Sequence, residues 1–304
     1  MKVVALAGGT GSAKLLGGLD SLGCDLSVVA NVGDNTWMHG LYICPDLDTA
    51  MYTLAGVSDR TRGWGVRGDT FAALKQLGKL GQETWFALGD KDIATHILRT
   101  KWLREGRTLT QVTRDLCTGY GTNAEVLPVT DSRLETKILT PEGEMDLQQF
   151  WVKKRGRPRV SGVRYDGASA AKVTREVENA LEKADYVVVC PANPMTSIGP
   201  MLAVRGLKKA LASTSARISA LSPMFGSTAF SGPAAKLMRA AGASSDSIGV
   251  AAMYSDFLDA MIISLRDGGM VDAIERLGVR CRCLDTRLGS PAAERRLARE
   301  LLES

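Results

Sequence analysis

Seven short runs rich in β-branched and other apolar residues recur along this chain of 304 residues, and segments with helical periodicity separate them. Strands that alternate with helices predict a mostly parallel sheet with helices on both faces, which is a Rossmann-like, doubly wound α/β fold. The continuous apolar run at residues 187–189 is typical of a strand buried on both sides. The seven predicted strands cover residues 3–6, 26–30, 125–128, 186–190, 217–221, 261–265 and 279–284.

One long segment, residues 51–121, departs from this alternation because no strand-like run interrupts its helical periodicity. We therefore predict a helical insertion in a discontinuous core that comprises residues 1–50 and 122–304. The apolar positions that repeat at helical spacing in this segment include Ile93, Ile97 and Leu98, and then Leu109, Val112 and Leu116.

A second departure lies within the core, at residues 133–165. Two β-rich runs at 134–139 and 144–147 flank Pro-Glu-Gly at 141–143, which predicts a hairpin, and residues 160–165 add a further strand. We expect a small β elaboration here.

The first predicted strand leads into the glycine-rich sequence Gly-Gly-Thr-Gly-Ser-Ala-Lys at residues 8–14. Free N–H groups and the dipole at a helix start form a site for phosphate. A Walker loop is disfavoured because Leu15, not Ser or Thr, follows Lys14, and a dinucleotide fingerprint is disfavoured because Asn31 stands where an acid is expected. The candidate phosphate-binding residues are Gly9, Thr10, Gly11, Ser12 and Lys14.

Loops that follow the predicted strands are rich in small polar residues. Ligands of open α/β sheets bind beyond the carboxyl ends of the strands, so convergence of these loops would form one nucleotide-sized groove. Asn193, Thr196 and Ser197 offer hydrogen bonds there, and Ser231 precedes Gly-Pro as a predicted helix N-cap; each of them could also serve only as a cap. The four loops are residues 8–12, 31–36, 191–199 and 222–232.

Two carboxylates, Asp46 and Asp48, stand two residues apart at the entrance of a predicted helix. One interpretation is an N-cap at Asp46 with Asp48 complementing the helix dipole. The other is that one or both hold Mg²⁺ or accept a proton from a hydroxyl nucleophile, since oxygen ligands suit a hard cation.

Further along, Asp92 and His96 are four residues apart on one predicted helical face, and Arg99 follows three residues later. A salt-bridged surface and a chemical site both explain this pattern. The chain contains only two histidines, His39 and His96, which disfavours a metal site made of several histidines.

The composition, with 45% apolar and 23% charged residues, is that of an ordinary globular protein. No apolar run approaches the roughly 20 residues of a membrane span, and the first residues lack a secretory signal. Six scattered cysteines indicate reduced thiols, so we expect a cytoplasmic protein without a membrane partner. The basic residues 153–159 lack interleaved aromatics, and we expect a solvated or anion-binding loop rather than nucleic-acid binding.

Taken in order, the motifs of this chain resemble those of the 2-phospho-L-lactate transferase family of coenzyme F420 biosynthesis. The resemblance extends from the first strand to residue 259. The motifs that carry it are the glycine loop with Leu16, Asn-Val-Gly-Asp-Asn-Thr-Trp at 31–37, Pro-Asp-Leu-Asp-Thr at 45–49, Arg-Gly-Trp-Gly at 62–65, residues 88–96, Phe-Trp at 150–151, Asn-Pro at 193–194 and Ser-Ile-Gly-Pro at 197–200.

This resemblance implies a reaction in which the ribityl hydroxyl of the deazaflavin FO attacks the phosphorus of a guanosine diphosphate-linked donor. The donor carries lactate, enolpyruvate or another three-carbon acid, GMP leaves, and Mg²⁺ neutralises the diphosphate. The glycine loop and Lys14 would bind donor phosphates, with Asn193 and Ser197 on the nucleotide side.

The same resemblance assigns FO contacts to Asp48 and Lys91. Asp48 is the candidate base or orienting group at the hydroxyl, and Asp46 and Asp48 are the candidate metal ligands. A homodimer is expected, with residues 261–270 as a possible packing segment.

Two other functions stay open at this stage. A related group of nucleotide-sugar-binding regulatory proteins shares the glycine loop and core fold but has no transferase activity. An NADP-dependent oxidoreductase is the third interpretation, although the glycine loop departs from its fingerprint.

Overall fold

A parallel sheet of seven strands forms the centre of the protein, as seen in a computed structural model that describes residues 1–229 and 232–304. The predicted Ser231 N-cap lies outside the described residues. In chain order the strands are β1 (Lys2–Ala7), β2 (Asp25–Ala30), β3 (Thr36–Met38), β4 (Leu41–Ile43), β5 (Glu125–Pro128), β6 (Glu135–Thr140), β7 (Gly143–Asp146), β8 (Gly162–Asp166), β9 (Tyr186–Val189), β10 (Arg217–Leu221), β11 (Met224–Phe225), β12 (Thr228–Ala229), β13 (Ala260–Ser264) and β14 (Arg280–Leu284).

The central sheet has the order β14-β13-β10-β9-β1-β2-β5, and all of its strand pairs are parallel. All seven predicted strands are confirmed, with ends that differ by at most one residue. The chain builds the sheet outward from β1 in two directions, so the order reverses between β1 and β9. The loops after these two strands diverge at such a switch point and leave a crevice.

Helices cover both faces of this sheet, and strands β1, β9 and β13 are buried almost throughout. The α/β fold class predicted from the alternation of strands and helices is therefore confirmed. The helices are α1 (Thr10–Asp20), α2 (Pro45–Leu54), α3 (Ala72–Lys79), α4 (Asp90–Arg104), α5 (Leu109–Tyr120), α6 (Arg175–Glu182), α7 (Gly199–Ala203), α8 (Leu207–Ser213), α9 (Ala234–Ala240), α10 (Ser247–Tyr254), α11 (Val271–Glu275) and α12 (Pro291–Glu303).

Helix α1 packs closely on α12, and Gly18 permits the approach. A Cβ added at Gly18 would lie 2.4 Å from the backbone oxygen of Glu294. The first helix, and with it the glycine loop, is therefore held firmly against the body of the core.

Between α2 and β5 the chain forms α3, α4 and α5, in the segment that the helical periodicity predicted. Helix α2 itself runs across the predicted boundary at residue 51. The predicted β elaboration is also confirmed, because β6 pairs with β7 as a hairpin and with β8 on its other edge, both antiparallel.

A small hairpin of β3 and β4 was not predicted. Its two-residue turn consists of His39 at φ 49° and Gly40 at φ 77°, and hairpin turns of this kind require positive φ at both positions. The pair His-Gly is a weaker turn signal than Asn-Gly, which explains why the sequence pattern did not reveal it.

The segment considered for dimer packing, residues 261–270, does not form an exposed helix. Strand β13 buries its first part, including Met261, and a 3₁₀ turn (Leu265–Met270) follows. This part of the sequence prediction is wrong. Within the described ranges, the structure contains no helix whose length and apolar character would allow it to cross a membrane.

Candidate active site

A cavity of about 470 Å³ lies at the carboxyl ends of β1, β9 and β10. Residues from all four polar loops line it, including Gly9, Asp34, Asn193 and Pro223. The predicted convergence of these loops is confirmed, because parallel strands bring their carboxyl ends to one edge of the sheet. The volume is in the usual range for small-molecule sites.

The glycine loop forms one wall of this cavity, with Gly9, Thr10 and Gly11 in the lining and α1 starting at Thr10. A Cβ at Gly11 would lie 2.5 Å from the backbone oxygen of Pro191, so only glycine allows the loop to approach the chain after β9. The side chain of Ser12 is buried, and its Oγ accepts a hydrogen bond of 2.9 Å from the N–H of Gly8. Ser12 therefore stabilises the loop itself, and Lys14 is exposed outside the cavity.

The loop after β9 supplies Asn193 and Ser197, and both line the cavity. Asn193 also caps a turn of π-helix (Pro194–Ile198), because its Oδ1 accepts a hydrogen bond of 2.9 Å from the N–H of Met195. The capping and the cavity-lining interpretations of Asn193 are thus compatible.

Asn31 connects the loop after β2 to the rest of the site. Its amide nitrogen donates to Asp46 at 2.9 Å and to the carbonyl of Thr196 at 3.2 Å, and its oxygen accepts from the N–H of Gly33 at 2.8 Å. The amide that weakened the dinucleotide interpretation therefore holds three loops together.

Asp46 and Asp34 form a buried carboxyl pair at the cavity. Burial raises the pKa of Asp46 to about 6, although hydrogen bonds from Asn31 and Asp34 oppose this. Burial and the neighbouring Asp46 raise the pKa of Asp34 well above its usual range, so Asp34 is the member that retains a proton. The predicted N-cap at Asp46 is wrong, because Cys44 occupies that position.

Asp48 lies on the same helix as Asp46 but has a different partner. Both of its carboxylate oxygens bind the guanidinium of Arg99: Oδ2 accepts from Nη1 at 3.0 Å, and Oδ1 accepts from Nη2. Arg99 is only 1% exposed. The structure therefore brings the two predicted metal ligands to one cavity but engages them in separate networks.

Helix α4 supplies the partners of Asp48. The Nη1 of Arg99 lies 3.1 Å from His96 Nδ1, and His96 Nε2 lies 3.3 Å from Asp92 Oδ1. Asp92 also accepts a hydrogen bond of 2.7 Å from the hydroxyl of Tyr52. Burial would raise the pKa of Asp92, but the contacts with His96 and Tyr52 lower it overall.

This network is buried, so the interpretation of Asp92, His96 and Arg99 as a salt-bridged surface is wrong. The apolar repeat that predicted α4 marks the opposite face, where Ile97 is 50% and Leu98 is 42% exposed. The polarity of α4 is thus inverted relative to an ordinary surface helix, and its polar face packs inward toward Asp48.

Lys91 precedes this network on α4 but is exposed and lies outside the cavity. Its Nζ donates to the carbonyl of Arg67 at 3.2 Å. Of the two residues assigned to FO by resemblance, the structure places Asp48 in the cavity and Lys91 beyond its edge.

Aromatic side chains form the wall opposite the glycine loop, and we did not predict them as site residues. Trp64, Trp85, Phe86 and Trp151 line the cavity, and the ammonium of Lys153 lies 5.6 Å from the ring centre of Trp85. The only sequence signals for this wall were the Arg-Gly-Trp-Gly and Phe-Trp motifs.

The charge of the cavity is one-sided. Its described lining residues include four aspartates, namely Asp34, Asp46, Asp48 and Asp92, and neither lysine nor arginine. Carboxylate oxygens are the ligands that Mg²⁺ prefers, so this donor set fits the predicted metal.

The sequence matches the family model described as 2-phospho-L-lactate transferase CofD over residues 3–275. The chain belongs to this family. It is therefore a transferase, and the family resemblance seen in the sequence motifs is confirmed.

Individual relatives agree with this membership. The chain is 40% identical to 2-phospho-L-lactate transferase of Methanosarcina barkeri over 97% of this chain and 96% of that protein. It is 40% identical to the enzyme of the same name from Methanosarcina mazei, over 99% and 100% of the two chains. Phosphoenolpyruvate transferase of Streptomyces griseus is 38% identical, over 100% and 98%.

A solved structure supports the fold alone. A protein of the UPF0052 family from Bacillus halodurans superposes with a TM-score of 0.65 at 15% identity, and the match covers 99% of this chain and 98% of that one.

Proposed function

We propose that this enzyme acts in coenzyme F420 biosynthesis and transfers a phospholactyl or phosphoenolpyruvyl group from a guanosine diphosphate-linked donor to the ribityl hydroxyl of the deazaflavin FO, releasing GMP. One observation carries the proposal: a single cavity combines a glycine loop at a helix start with an aromatic wall and buried carboxylates. The first suits a diphosphate and the second a flat ring system.

The donor is proposed to bind along the loops after β1 and β9. Backbone N–H groups at Gly9, Thr10 and Gly11 face a region without a basic lining residue among those described, so helix-start donors would provide the direct contacts to phosphate. Asn193 and Ser197 extend the polar surface on the nucleotide side. Lys14 is too far outside the cavity lining to be a first candidate for this contact.

FO is proposed to bind against Trp64, Trp85 and Trp151. Offset stacking on indole rings is favourable for an aromatic ring system and leaves the ribityl chain free to reach the polar floor of the cavity. Asp48 lies on that floor. Because Arg99 holds both oxygens of Asp48 in place, we favour orientation of the attacking hydroxyl as the role of this carboxylate.

Mg²⁺ is proposed as the metal, with Asp46 as the first ligand candidate and Asp48 as the second. Asp46 is adjacent to the glycine loop, since a Cβ at Gly9 would lie 2.5 Å from its Oδ1. When bound, the cation would neutralise charge on the diphosphate and on the departing GMP. The excess of carboxylates in the cavity makes an anionic donor hard to bind without such a cation.

The decisive experiment incubates purified protein with Mg²⁺, FO and separately prepared lactyl and enolpyruvyl guanosine diphosphate donors. We expect GMP and a deazaflavin phosphodiester, both detected by mass, and the preferred donor follows from the relative rates. Omission of Mg²⁺ serves as the control for the metal. Absence of product with either donor would refute the transferase proposal.

The two alternatives predict different ligands. A nucleotide-sugar-binding regulatory protein would bind a uridine diphosphate sugar without binding FO. An NADP-dependent oxidoreductase would bind NADPH without responding to GDP. Titration of the wild-type protein with these four ligands separates the three functions.

A further inference from the structure

The inner face of α4 carries one polar atom that the proposed mechanism does not use. His96 is 1% exposed and lines the cavity, yet its Nε2 has no hydrogen-bond partner among the described residues. An unpaired buried donor or acceptor is costly, so such an atom at a cavity wall indicates a ligand group that completes it.

The protonation of this imidazole follows from its other nitrogen. Arg99 Nη1 lies 3.1 Å from His96 Nδ1, and a guanidinium is always protonated and can only donate. Nδ1 must therefore be the acceptor and carry no proton. The neutral ring then has its proton on Nε2, which makes the cavity-facing atom an N–H donor.

This tautomer argues against a cation between His96, Asp48 and Asp92, although one ligand atom from each lies within 4.8 Å of the others. A metal at Nε2 would need that nitrogen unprotonated and would transfer the proton to Nδ1, directly against Arg99. A phosphate is equally unsuitable, because its oxygens only accept and would meet two carboxylates.

A hydroxyl group matches all three side chains, since it accepts one hydrogen bond and donates another without carrying charge. We propose that His96 is a substrate-binding residue whose Nε2–H donates to a hydroxyl of the acceptor's polyol chain, with Asp92 or Asp48 as the matching acceptor. Arg99 acts as a positioning residue that keeps His96 in the donor tautomer. The inference rests on the proposed function, in which a ribityl chain enters this cavity.

A first test observes the tautomer directly by ¹⁵N NMR of protein labelled at histidine. Only His39 and His96 contribute signals, and the exposed His39 is assigned with His39→Asn, which tolerates the positive φ of that turn. We expect His96 to be neutral with its proton on Nε2, and its Nε2 signal to shift when FO is added. A proton on Nδ1, or a signal that FO leaves unchanged, would overturn the proposal.

A second test compares FO with a deazaflavin that carries an alkyl chain in place of ribityl, using fluorescence titration in the absence of donor. His96→Phe should weaken FO binding roughly 10-fold, the value of one hydrogen bond to a charged or buried partner, and leave the alkyl analogue unaffected. His96→Gln retains an N–H donor and should lose less. His39→Asn is the matched control and should bind both ligands like the wild type.

The outcomes are distinguishable. Equal weakening of both ligands by His96→Phe would assign His96 a purely structural role. Unchanged FO binding in that variant would refute the hydrogen bond while leaving the transferase intact. Failure of FO to bind the wild type would refute the proposed function itself, and this inference with it.

Discussion

The two halves of the cavity solve the same problem of buried polarity in different ways. The glycine-loop half relies on backbone N–H groups, close packing at Gly11 and one carboxyl pair. The α4 half relies on side chains from two helices that neutralise one another, with Arg99 bound to Asp48. The first depends on local backbone geometry, whereas the second depends on charges that must find each other across the fold.

The largest expected effect concerns the α4 half. Arg99→Met leaves the buried carboxylate of Asp48 without its cation, and loss of one partner of a buried pair costs about 3 to 5 kcal/mol. Urea unfolding measures the change. The double variant Asp48→Asn with Arg99→Met is the control and should regain part of the loss; a double variant as unstable as the single one would show that the ion pair is not the cause.

The carboxyl pair of the glycine-loop half should reveal itself through pH. The pKa of Asp46 is raised in the folded state to about 6, so the native protein binds more protons than the unfolded chain between about pH 4 and pH 6. Stability should therefore fall as the pH rises through this window in metal-free buffer, by on the order of 2 to 3 kcal/mol.

Asp46→Asn is the matched variant for this pH effect and should flatten the slope. Mg²⁺ added at pH 7 should stabilise the wild type more than the variant, as followed by thermal unfolding. A wild-type slope that persists unchanged in Asp46→Asn would assign it to other groups.

Close packing in the glycine-loop half is tested by Gly11→Ala. The added Cβ would meet the Pro191 backbone at 2.5 Å, and overpacking of this kind costs about 1 to 3 kcal/mol and should displace the loop. We expect weaker binding of GDP by calorimetry.

Gly17→Ala in the same helix provides the comparison for Gly11. Its nearest neighbour would be Glu294 Oε2 at 3.8 Å, and alanine in a helix interior is favourable by about 0.5 to 1 kcal/mol. Comparable losses of GDP affinity in both variants would contradict the role of close packing at Gly11.

The smallest effect is expected at Lys14, which the sequence suggested as a phosphate ligand. It is exposed outside the cavity, so Lys14→Ala should change GDP affinity and stability by less than about 0.5 kcal/mol. A large loss of affinity would mean that the side chain reaches the nucleotide and that the glycine loop does not act through its backbone alone.

The same contrast explains which site residues could be predicted. Gly9, Thr10 and Gly11 were identifiable because a strand, a glycine loop and a helix are contiguous in sequence, and a helix start has the same free N–H groups wherever it occurs. The inward polar face of α4 was not identifiable, since its apolar repeat at Ile97 and Leu98 indicates the wrong face. The aromatic wall escaped prediction because its members come from three separated segments.

The sequence by itself determined the seven central strands, the start of α1 and the family, because apolar runs, glycines and ordered motifs are local signals. Only the tertiary structure decided that Asp46 pairs with Asp34, that Asp48 binds Arg99 and that His96 presents Nε2 to the cavity. The physical reason is that the state of a buried charged group depends on the partners that surround it in space, and here those partners lie 12 to 51 residues away in the chain.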